Sequence, residues 1–272
     1  MSVPTAEVIS YQAAEVADDY RRWDDAGSWA FGYSFVPAAL GGLSQGARVL
    51  DLGCGPGEVT RFVAERCPGV RFTAVDSSPA MIDLAHRHFP HPRVEYGLSE
   101  PDGVPTVADR SMDAALAMFL FTCIGSQAQM QDLVDELART LRPGGRLVIL
   151  HPNPDQAHDV SFEGFHRGEP GARYTSGDPM PVKVRRRDGS WTTIVNSYWP
   201  RETFHAVLSA AGFTDIRETT PVFADAVGVA SPDLLASRAW EQERSRAPFI
   251  LFTATAHGRP GTTRLPRQPT TR

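Results

Sequence analysis

Three closely spaced glycines between an apolar run and a helical pattern are the residues most suited to form a ligand site. The segment from Val49 to Thr60 reads VLDLGCGPGEVT, with Gly53, Gly55 and Gly57 at alternate positions. A glycine lets a ligand approach the backbone closely, because no Cβ stands in the way. The loop N–H groups and the N-terminus of the following helix favour negatively charged ligand atoms, such as a carboxylate. The spacing predicts a ligand-binding loop, the alternative being a loop that only turns the chain.

A carboxylate stands at the end of the next predicted strand. Asp76 closes the run RFTAVD, about 20 residues after the glycines, which is the spacing of a ribose-binding carboxylate. Such a group can accept hydrogen bonds from two ribose hydroxyls. Taken alone, Asp76 could equally cap a helix or face solvent. Its pairing with the glycine loop favours ribose binding.

The elements that must position these residues alternate between strand and helix. Strand-like runs read RVLDL, RFTAVD, VEYGL, DAALAMFLF and RLVIL, and the segments between them have helical spacing. Pro143–Gly145 is expected to stop the last of these helices, since Pro cannot continue it and Gly accepts the left-handed conformation. Such alternation predicts a parallel sheet with right-handed crossovers.

The pattern changes after residue 151. Residues 152–197 are rich in Gly, Pro, Asp and aromatics, and the runs VKVRRR and WTTIVNS flank Asp188-Gly189, which predicts a hairpin. Further on, PRETFHAVLSAAGF predicts a helix, TDIRETTPV and PFILFTATA predict strands, and a helical segment is expected between them at about 225–246. The tail from residue 258 has no apolar face, so we expect it to be disordered.

Taken together, DLGCGPG, VDSSPAMIDLA, the run DAALAMFLF and LRPGGRLVIL resemble the class I S-adenosylmethionine-dependent methyltransferases over roughly residues 46–151. The resemblance implies an α/β fold, with a Rossmann-like, seven-stranded, mostly parallel sheet, a reversed terminal hairpin and helices on both faces. It implies S-adenosylmethionine as the cofactor, lying across the carboxyl ends of the strands. It divides the chain into an N-terminal helical lid, 1–45, and a methyltransferase domain, 46–257, with a substrate-side insertion at 152–197, before the tail at 258–272.

The resemblance also implies roles for individual residues. Asp51 and the glycine loop would hold the methionine end of the cofactor, and Ser77 or Met81 would line the adenine pocket. The family often has an Asp after the third strand; this chain reads Gly97-Leu98-Ser99 there, so Ser99 or a backbone group would substitute. Met118 and Phe119 match positions beside the cofactor or belong to the buried strand core. The cofactor-binding candidates are Tyr20, Asp51, Gly53, Cys54, Gly55, Gly57, Asp76, Ser77, Met81, Ser99, Met118 and Phe119.

Methyl transfer from a sulfonium mainly requires alignment of the acceptor, and a base is needed only if the acceptor must lose a proton early. His151 directly follows the fifth predicted strand and is the first candidate base, or else it bonds nearby loop backbone. His166 is the second. Arg185–Arg187 could clamp an anion, although an exposed hairpin face explains this run more simply. No metal ligand set is evident. The substrate-binding candidates are Trp23, Phe121, His151, Tyr174 and Tyr198.

Composition limits the class of protein and its partners. The net charge of −5 argues against a nucleic-acid substrate. No apolar run approaches the roughly 18 residues of a membrane span, and the start of the chain does not resemble a secretory leader. Three scattered cysteines indicate free thiols in a reducing compartment, so a cytoplasmic location is expected. The expected oligomeric state is a monomer or a homodimer. Lys183 is the single lysine among 27 basic residues, which suggests a GC-rich bacterial genome.

The sequence therefore predicts an O- or N-methyltransferase for a small aromatic or heteroaromatic metabolite of bacterial secondary metabolism. An S-adenosylmethionine-binding protein without methyl transfer is the first alternative. An NAD-dependent dehydrogenase is disfavoured, because the loop is GxGxG rather than GxGxxG and no Tyr-x-x-x-Lys pair is present. Methylation of RNA or protein is disfavoured by the acidity and by Ala117-Met118-Phe119-Leu120, which replaces the Asn/Asp-Pro-Pro-Tyr motif of many nucleic-acid methylases.

Overall fold

A seven-stranded sheet forms the centre of the molecule in the computed structural model, which describes residues 19–100, 103–158 and 160–257. The sheet order is β10-β11-β5-β4-β1-β2-β3, and β6-β7-β8-β9 form a second, antiparallel sheet. The strands are β1 Arg48–Leu52, β2 Arg71–Asp76, β3 Val94–Leu98, β4 Met112–Met118, β5 Leu141–Pro152, β6 Val160–Phe162, β7 Phe165–Arg167, β8 Pro179–Arg185, β9 Trp191–Ser197, β10 Phe213–Thr219 and β11 Phe249–Ala256.

The α-helices include the crossovers of the large sheet and a group of short helices at its edges. Among the described residues they are α1 Ala26–Phe31, α2 Val36–Leu40, α3 Glu58–Arg66, α4 Pro79–His88, α5 Gln127–Thr140, α6 Arg201–Ala210, α7 Phe223–Ala226 and α8 Pro232–Ala236. Ser78 and Ser126 cap α4 and α5 with their side-chain oxygens, which satisfies N–H groups that a helix start leaves free. Residues 19–45, which carry α1 and α2, are named the lid segment below.

The central strands are covered on both faces. Strand β4 reads MDAALAM and is almost wholly buried, as a parallel strand between two layers requires. Its alternate residues enter two apolar clusters: Ala115 packs on the side of α5 and α6, and Leu116 packs on the side of the lid segment. The parallel pairing of β1 with β2 and with β4 brings the carboxyl ends of these three strands to the same edge of the sheet.

The end of the sheet has the predicted reversed arrangement. Strand β11 pairs antiparallel with β5, with Ile250 opposite His151, and β10 pairs antiparallel with β11. The sheet order and the mostly parallel pairing confirm the predicted Rossmann-like fold. The predicted hairpin around Asp188-Gly189 is also confirmed, since β8 and β9 pair on either side of it.

Several predicted element bounds need correction. The run DAALAMFLF was expected to be one strand, but β4 ends at Met118, because Phe119 has a left-handed φ of +55° and a 3-10 turn occupies Leu120–Cys123. The segment at about 225–246 was expected to be helical, but its α-helical residues are limited to the end of α7 and to α8. Residues 1–18 of the predicted lid and the predicted disordered tail, 258–272, lie outside the described residues. Within the described part of the chain, no helix has the length and apolarity needed to cross a membrane.

Candidate active site

The glycine loop joins β1 to α3 in a conformation that depends on glycine. Gly53, Gly55 and Gly57 all have positive φ, at +77°, +55° and +85°, a region that other residues enter only with strain. A Cβ at Gly53 would lie 2.9 Å from Leu120 Cδ1, and one at Gly57 would lie 2.8 Å from the ring of Tyr96. A Cβ at Gly55 would meet no heavy atom within 4 Å. The two outer glycines therefore permit packing within the protein, while Gly55 faces open space.

Asp51, which precedes the loop, is a buried carboxylate with one unused oxygen. Only 1% of its surface is exposed. Its Oδ2 accepts a hydrogen bond from Thr60 Oγ1 at 2.6 Å, whereas its Oδ1 is buried and has no protein partner. Burial, with a smaller contribution from the charge of Asp76, raises the pKa of Asp51 to about 6. A buried acceptor of this kind is expensive to leave unpaired, so it marks a place for a hydrogen-bond donor or cation of a ligand.

Asp76 connects the end of β2 to the glycine loop. Its Oδ2 accepts from the N–H of Gly55 and its Oδ1 from the N–H of Ser78, both at 2.9 Å. Burial raises the pKa of Asp76, although these backbone donors act in the opposite direction. The N–H of Ser77 is a further backbone donor to this carboxylate, and because a carboxylate has about four acceptor positions, one of them stays available. The carboxylate thus shapes the loop and keeps capacity for a ligand hydroxyl.

A cavity lies between the glycine loop and the lid segment and is named the loop cavity. It is lined by six of the predicted cofactor residues, by Pro56 of the glycine loop, and by five residues that sequence reasoning did not single out as cofactor residues, namely Asp25, Trp29, Tyr33, Glu58 and Val59. The lining residues are Tyr20, Asp25, Trp29, Tyr33, Asp51, Gly53, Cys54, Gly55, Pro56, Glu58, Val59 and Met118.

The other predicted cofactor residues lie around this cavity without lining it. Met81 is buried on α4, where it packs with Leu84, and Phe119 lines a different cavity. Ser99 is fixed at the end of β3, because its N–H donates to the carbonyl of Asp76 at 3.0 Å. Gly57 and Asp76 hold the loop, and Ser77 follows Asp76 directly.

A second cavity, named the aromatic cavity, lies between the lid segment and the small antiparallel sheet. Its volume is about 800 Å³ when the space open to solvent is included. Most of its walls are aromatic or aliphatic, and charged or amide side chains occur at a few positions. The lining residues are Tyr20, Trp23, Asp24, Asp25, Ser28, Tyr33, Phe119, Thr122, Pro152, Gly164, Phe165, Arg167, Val182, Val184, Ile194, Asn196 and Phe249.

Three residues of the lid segment, Tyr20, Asp25 and Tyr33, line both cavities. The hydroxyls of the two tyrosines hydrogen-bond each other, and burial raises the pKa of Tyr20 to about 12 and the pKa of Tyr33 well above its usual range. Both tyrosines are therefore neutral near pH 7. Asp25 Oδ2 accepts from Trp29 Nε1 at 2.9 Å, and its Oδ1 lies 3.4 Å from Arg187 Nη2. Burial nevertheless raises the pKa of Asp25, against the effects of the Trp29 hydrogen bond and the charge of Arg187.

The two predicted base candidates lie away from both cavities. His151 is 2% exposed and packs against Phe204 at 4.8 Å between ring centroids. Its neighbour Pro152 lines the aromatic cavity, so the pleat of β5 turns His151 to the opposite face. Burial, together with the charge of Arg167, lowers the pKa of His151 well below its usual range. The structure therefore gives His151 the position of a neutral core residue rather than of a base.

His166 is separated from the aromatic cavity by the same alternation. It stands between Phe165 and Arg167, which both line the cavity, so it points to the other face of β7. There its Nδ1 is hydrogen-bonded to Ser161 Oγ. This placement argues against a role as base.

One of the predicted aromatic substrate residues, Trp23, lines the aromatic cavity, and three do not. Phe121 is fully buried, and its carbonyl accepts from Trp199 Nε1 at 2.9 Å. Tyr174 and Tyr198 pack against each other at 5.9 Å and support the apolar cluster of the small sheet. Their aromatic character serves packing, which sequence alone does not distinguish from ligand contact.

The arginine run at the tip of the β8–β9 hairpin binds the lid segment. Arg186 makes a two-pronged bond to Asp19, with Nε to Oδ1 at 2.8 Å and Nη2 to Oδ2 at 3.1 Å. Arg187 Nε donates to the carbonyl of Trp23 at 3.2 Å. The hairpin face is thus occupied by the lid, which explains these arginines without an anionic ligand.

Comparison with known proteins shows which family this architecture belongs to. A family model described as a methyltransferase domain matches residues 49–145. The chain is 32% identical over 211 residues to N-demethylindolmycin N-methyltransferase of Streptomyces griseus, a match that covers 76% of this chain and 88% of that protein.

Solved structures share the fold at lower identity. CalS10, an amino pentose methyltransferase from Micromonospora echinaspora, is 22% identical with a TM-score of 0.55, over 92% of this chain and 99% of that one. The CcbJ methyltransferase from Streptomyces caelestis is 18% identical with a TM-score of 0.58, over 89% and 96% of the two chains. With the glycine loop, the two carboxylates and the extensive match to a methyltransferase of known activity, the chain belongs to the class I S-adenosylmethionine-dependent methyltransferases.

Proposed function

We propose that this enzyme moves the methyl group of S-adenosylmethionine onto a nitrogen of a small aromatic or heteroaromatic metabolite held in the aromatic cavity. The observation that carries the proposal is the shared wall of the two cavities, where Tyr20, Asp25 and Tyr33 face both. The similarity to an N-methyltransferase of Streptomyces griseus favours nitrogen over oxygen as the acceptor atom. It also supports a place in bacterial secondary metabolism, as does the likeness to a protein of calicheamicin biosynthesis.

The residues of the loop cavity fit the cofactor. The unpaired oxygen of Asp51 suits the ammonium of its methionine part, and the open space beside Gly55 leaves room for close approach to the backbone. Asp76 retains acceptor capacity for a ribose hydroxyl. When bound, S-adenosylmethionine supplies a sulfonium methyl group that is already an activated electrophile. The protein's own contribution is therefore positioning, which can be worth about 7–11 kcal/mol of the barrier.

The aromatic cavity has the features needed to hold a flat acceptor. Phe119, Phe165 and Phe249 stand close to one another, with ring centroids 5.2 Å apart for Phe119 and Phe249 and 5.5 Å apart for Phe165 and Phe249. Such faces and edges bind planar rings by offset or edge-on stacking.

Asp25 is the residue that the geometry favours as a proton acceptor. It lies on the wall common to both cavities, and burial makes it a stronger base than an exposed aspartate. An acceptor N–H that gains a methyl group becomes more acidic, and its proton can pass to the carboxylate. The hydrogen bond from Trp29 and the nearby Arg187 fix the orientation of this carboxylate. This assignment takes the role that sequence reasoning gave to His151.

A labelled-methyl assay against nitrogen heterocycles, aryl amines and phenols tests the proposed acceptor class. Asp25→Asn keeps the size of the side chain and the acceptor for Trp29 but removes the base, so we expect kcat to fall about 10²–10⁴-fold. Its affinity for S-adenosylhomocysteine should stay within about twofold of wild type, because no charge of the glycine loop is changed. Asp83→Asn, at an exposed position of α4, is the matched control.

Two results would count against this proposal. If no nitrogen compound of the panel accepts label while phenols do, the acceptor atom is oxygen. If Asp25→Asn turns over at the wild-type rate, Asp25 is not the base. A cytoplasmic location and a monomeric or homodimeric state stay predictions of the sequence.

A further inference from the structure

We propose that the acceptor carries a carboxylate and that Arg167 binds it in the aromatic cavity. The inference rests on the proposed function, since it concerns the molecule that the aromatic cavity holds. It adds a substrate class, an aromatic acid, and a specificity-determining residue on the insertion between β5 and α6.

Arg167 is a buried cation with few partners. It is 3% exposed. Its Nη1 donates to the carbonyl of Asn153 at 2.6 Å, and its Nε is buried and has no hydrogen-bond acceptor among the described residues. Among the residues that the structure describes, no carboxylate lies within salt-bridge distance of Arg167. Burial lowers the pKa of its guanidinium to about 10, so the group is charged near pH 7.

Two partly buried arginines, unlike Arg167, each have a carboxylate partner. Arg238 contacts Asp24 through Nη2 at 2.7 Å, and Arg201 contacts Asp155 through Nη2 at 2.6 Å. A buried guanidinium is normally retained only with a partner that offsets its desolvation. Arg167 is more deeply buried than either of these arginines and has no such partner in the described part of the chain. An anionic group of the acceptor would supply the missing charge.

The small sheet places Arg167 in the wall of the aromatic cavity. Arg167 pairs with Val182 on β8, and Val182 pairs with Ile194 on β9. All three line the cavity, so one row across three strands presents a cation beside two aliphatic side chains. A planar ring with an acidic substituent matches this row: the ring contacts Val182 and Ile194, and the carboxylate meets the guanidinium fork. Asn196, also on β9, adds an amide to the same wall.

The test compares matched acids and amides in the presence of S-adenosylhomocysteine. Indole-3-acetate and indole-3-acetamide are titrated into wild type, Arg167→Met and Arg173→Met by calorimetry, together with benzoate and benzamide. Arg173 is an exposed residue of the same insertion and serves as the control. We expect wild type and Arg173→Met to bind at least one acid about tenfold more tightly than its amide, a difference of about 1.4 kcal/mol. Arg167→Met should lose that preference and keep its affinity for S-adenosylhomocysteine.

The result separates this inference from the proposed function. Amides that bind as well as acids to wild type overturn the role of Arg167 and leave an aromatic acceptor intact. Failure of all four compounds to bind, while S-adenosylhomocysteine binds, overturns both. A ligand-free measurement guards against a folding defect: the thermal midpoint of Arg167→Met should equal or exceed that of wild type, because an unpaired buried charge is removed. A lowered midpoint in both Arg167→Met and Arg167→Lys would show that Arg167 is structural and would overturn the inference.

Discussion

Two carboxylates of the site, Asp51 and Asp76, differ in the number of hydrogen-bond donors around them and therefore in their effect on stability. Asp76 accepts the backbone N–H groups of Gly55, Ser77 and Ser78, and burial raises its pKa against their effect. Asp51 has one hydroxyl partner and one buried oxygen with none, and its pKa rises to about 6. Without ligand, Asp51 therefore destabilises the folded protein at neutral pH, whereas the Asp76 carboxylate bonds the end of β2 to the glycine loop.

This difference predicts the effect of pH on the ligand-free enzyme. The pKa of Asp51 is about 6 in the folded state, whereas its ordinary value is 3.8. At a pH between these two values, the folded state therefore binds a proton that the unfolded state has released. Stability therefore falls as pH rises through about 4 to 6, by up to about 3 kcal/mol from this group. Asp51→Asn stays neutral, so it should lack the part of that fall that lies between pH 5 and pH 8, which is about 1.4 kcal/mol. Urea denaturation at pH 5 and pH 8 measures it, with Asp83→Asn as the control; an unchanged pH dependence in Asp51→Asn would contradict the assignment.

The second residue-scale prediction concerns ligand affinity. Asp76→Ala removes an acceptor for ribose hydroxyls and also the bond to the N–H of Gly55. Loss of one hydrogen bond to a charged group costs about 1.5–3 kcal/mol, so the affinity for S-adenosylhomocysteine should drop at least about 10- to 100-fold. Calorimetry checks this against Asp83→Ala. Wild-type affinity in Asp76→Ala would remove the ribose assignment.

At the scale of elements, the turn from β1 to α3 divides its glycines between packing and ligand approach. Gly57 begins α3 in a left-handed conformation and faces Tyr96 and Ala85. The Tyr96 hydroxyl donates to the carbonyl of Phe89 at 2.8 Å, so its ring is not free to move aside. Gly55 has the same sign of φ but open space around it.

Alanine at these two positions should therefore have opposite consequences. Gly57→Ala combines backbone strain with overpacking and should destabilise the protein by about 2–4 kcal/mol. Gly55→Ala should cost only about 1 kcal/mol of stability, yet weaken S-adenosylhomocysteine binding about tenfold or more, since its methyl group would occupy ligand space. Urea denaturation and calorimetry on both variants distinguish the effects. Equal losses of stability would refute the division.

At the scale of the whole molecule, the lid segment is held from two sides. Arg186 and Arg187 of the β8–β9 hairpin bind Asp19 and Asp25, and Arg238 binds Asp24 through both carboxylate oxygens. These bonds join the start of the described chain to the insertion and to the segment before β11. The wall shared by the two cavities therefore depends on contacts between distant parts of the sequence.

Loosening the hairpin contact should mobilise that wall. In Arg186→Ala, the two-pronged bond to Asp19 is lost, so amides of residues 19–25 should exchange with deuterium faster than in wild type. The KM for the methyl acceptor should rise at the same time, because Tyr20 and Trp23 line the aromatic cavity. Arg173→Ala provides the control for a lost surface charge. Unchanged exchange at residues 19–25 would show that Arg186 does not hold the lid.

The sequence predicted the parts of this molecule that local rules control. The glycine loop, Asp51 and Asp76 follow one another along the chain, and their conformations depend on near neighbours. The face of the sheet on which His151 lies depends instead on the pleat of β5 and on where α6 packs. As a result, Pro152 lines the aromatic cavity, whereas His151 packs against Phe204 on the other face. The surroundings of Asp25 depend on a segment more than a hundred residues away in the sequence, since Arg187 lies beside its carboxylate. Alternation in Phe165-His166-Arg167 was the one local signal for Arg167, since it places Phe165 and Arg167 on a common face.

The outer wall of the aromatic cavity belongs to a sheet with an apolar cluster of its own, around Met180, Val182 and Ile194. The glycine loop belongs to the large sheet, and the family model matches there but not in the insertion. The residues of the small sheet can therefore change during evolution, and the acceptor specificity with them, while the glycine loop of the large sheet stays unchanged. Exchanging residues 160–197 between relatives is accordingly a way to change the acceptor specificity of this enzyme without altering its cofactor site.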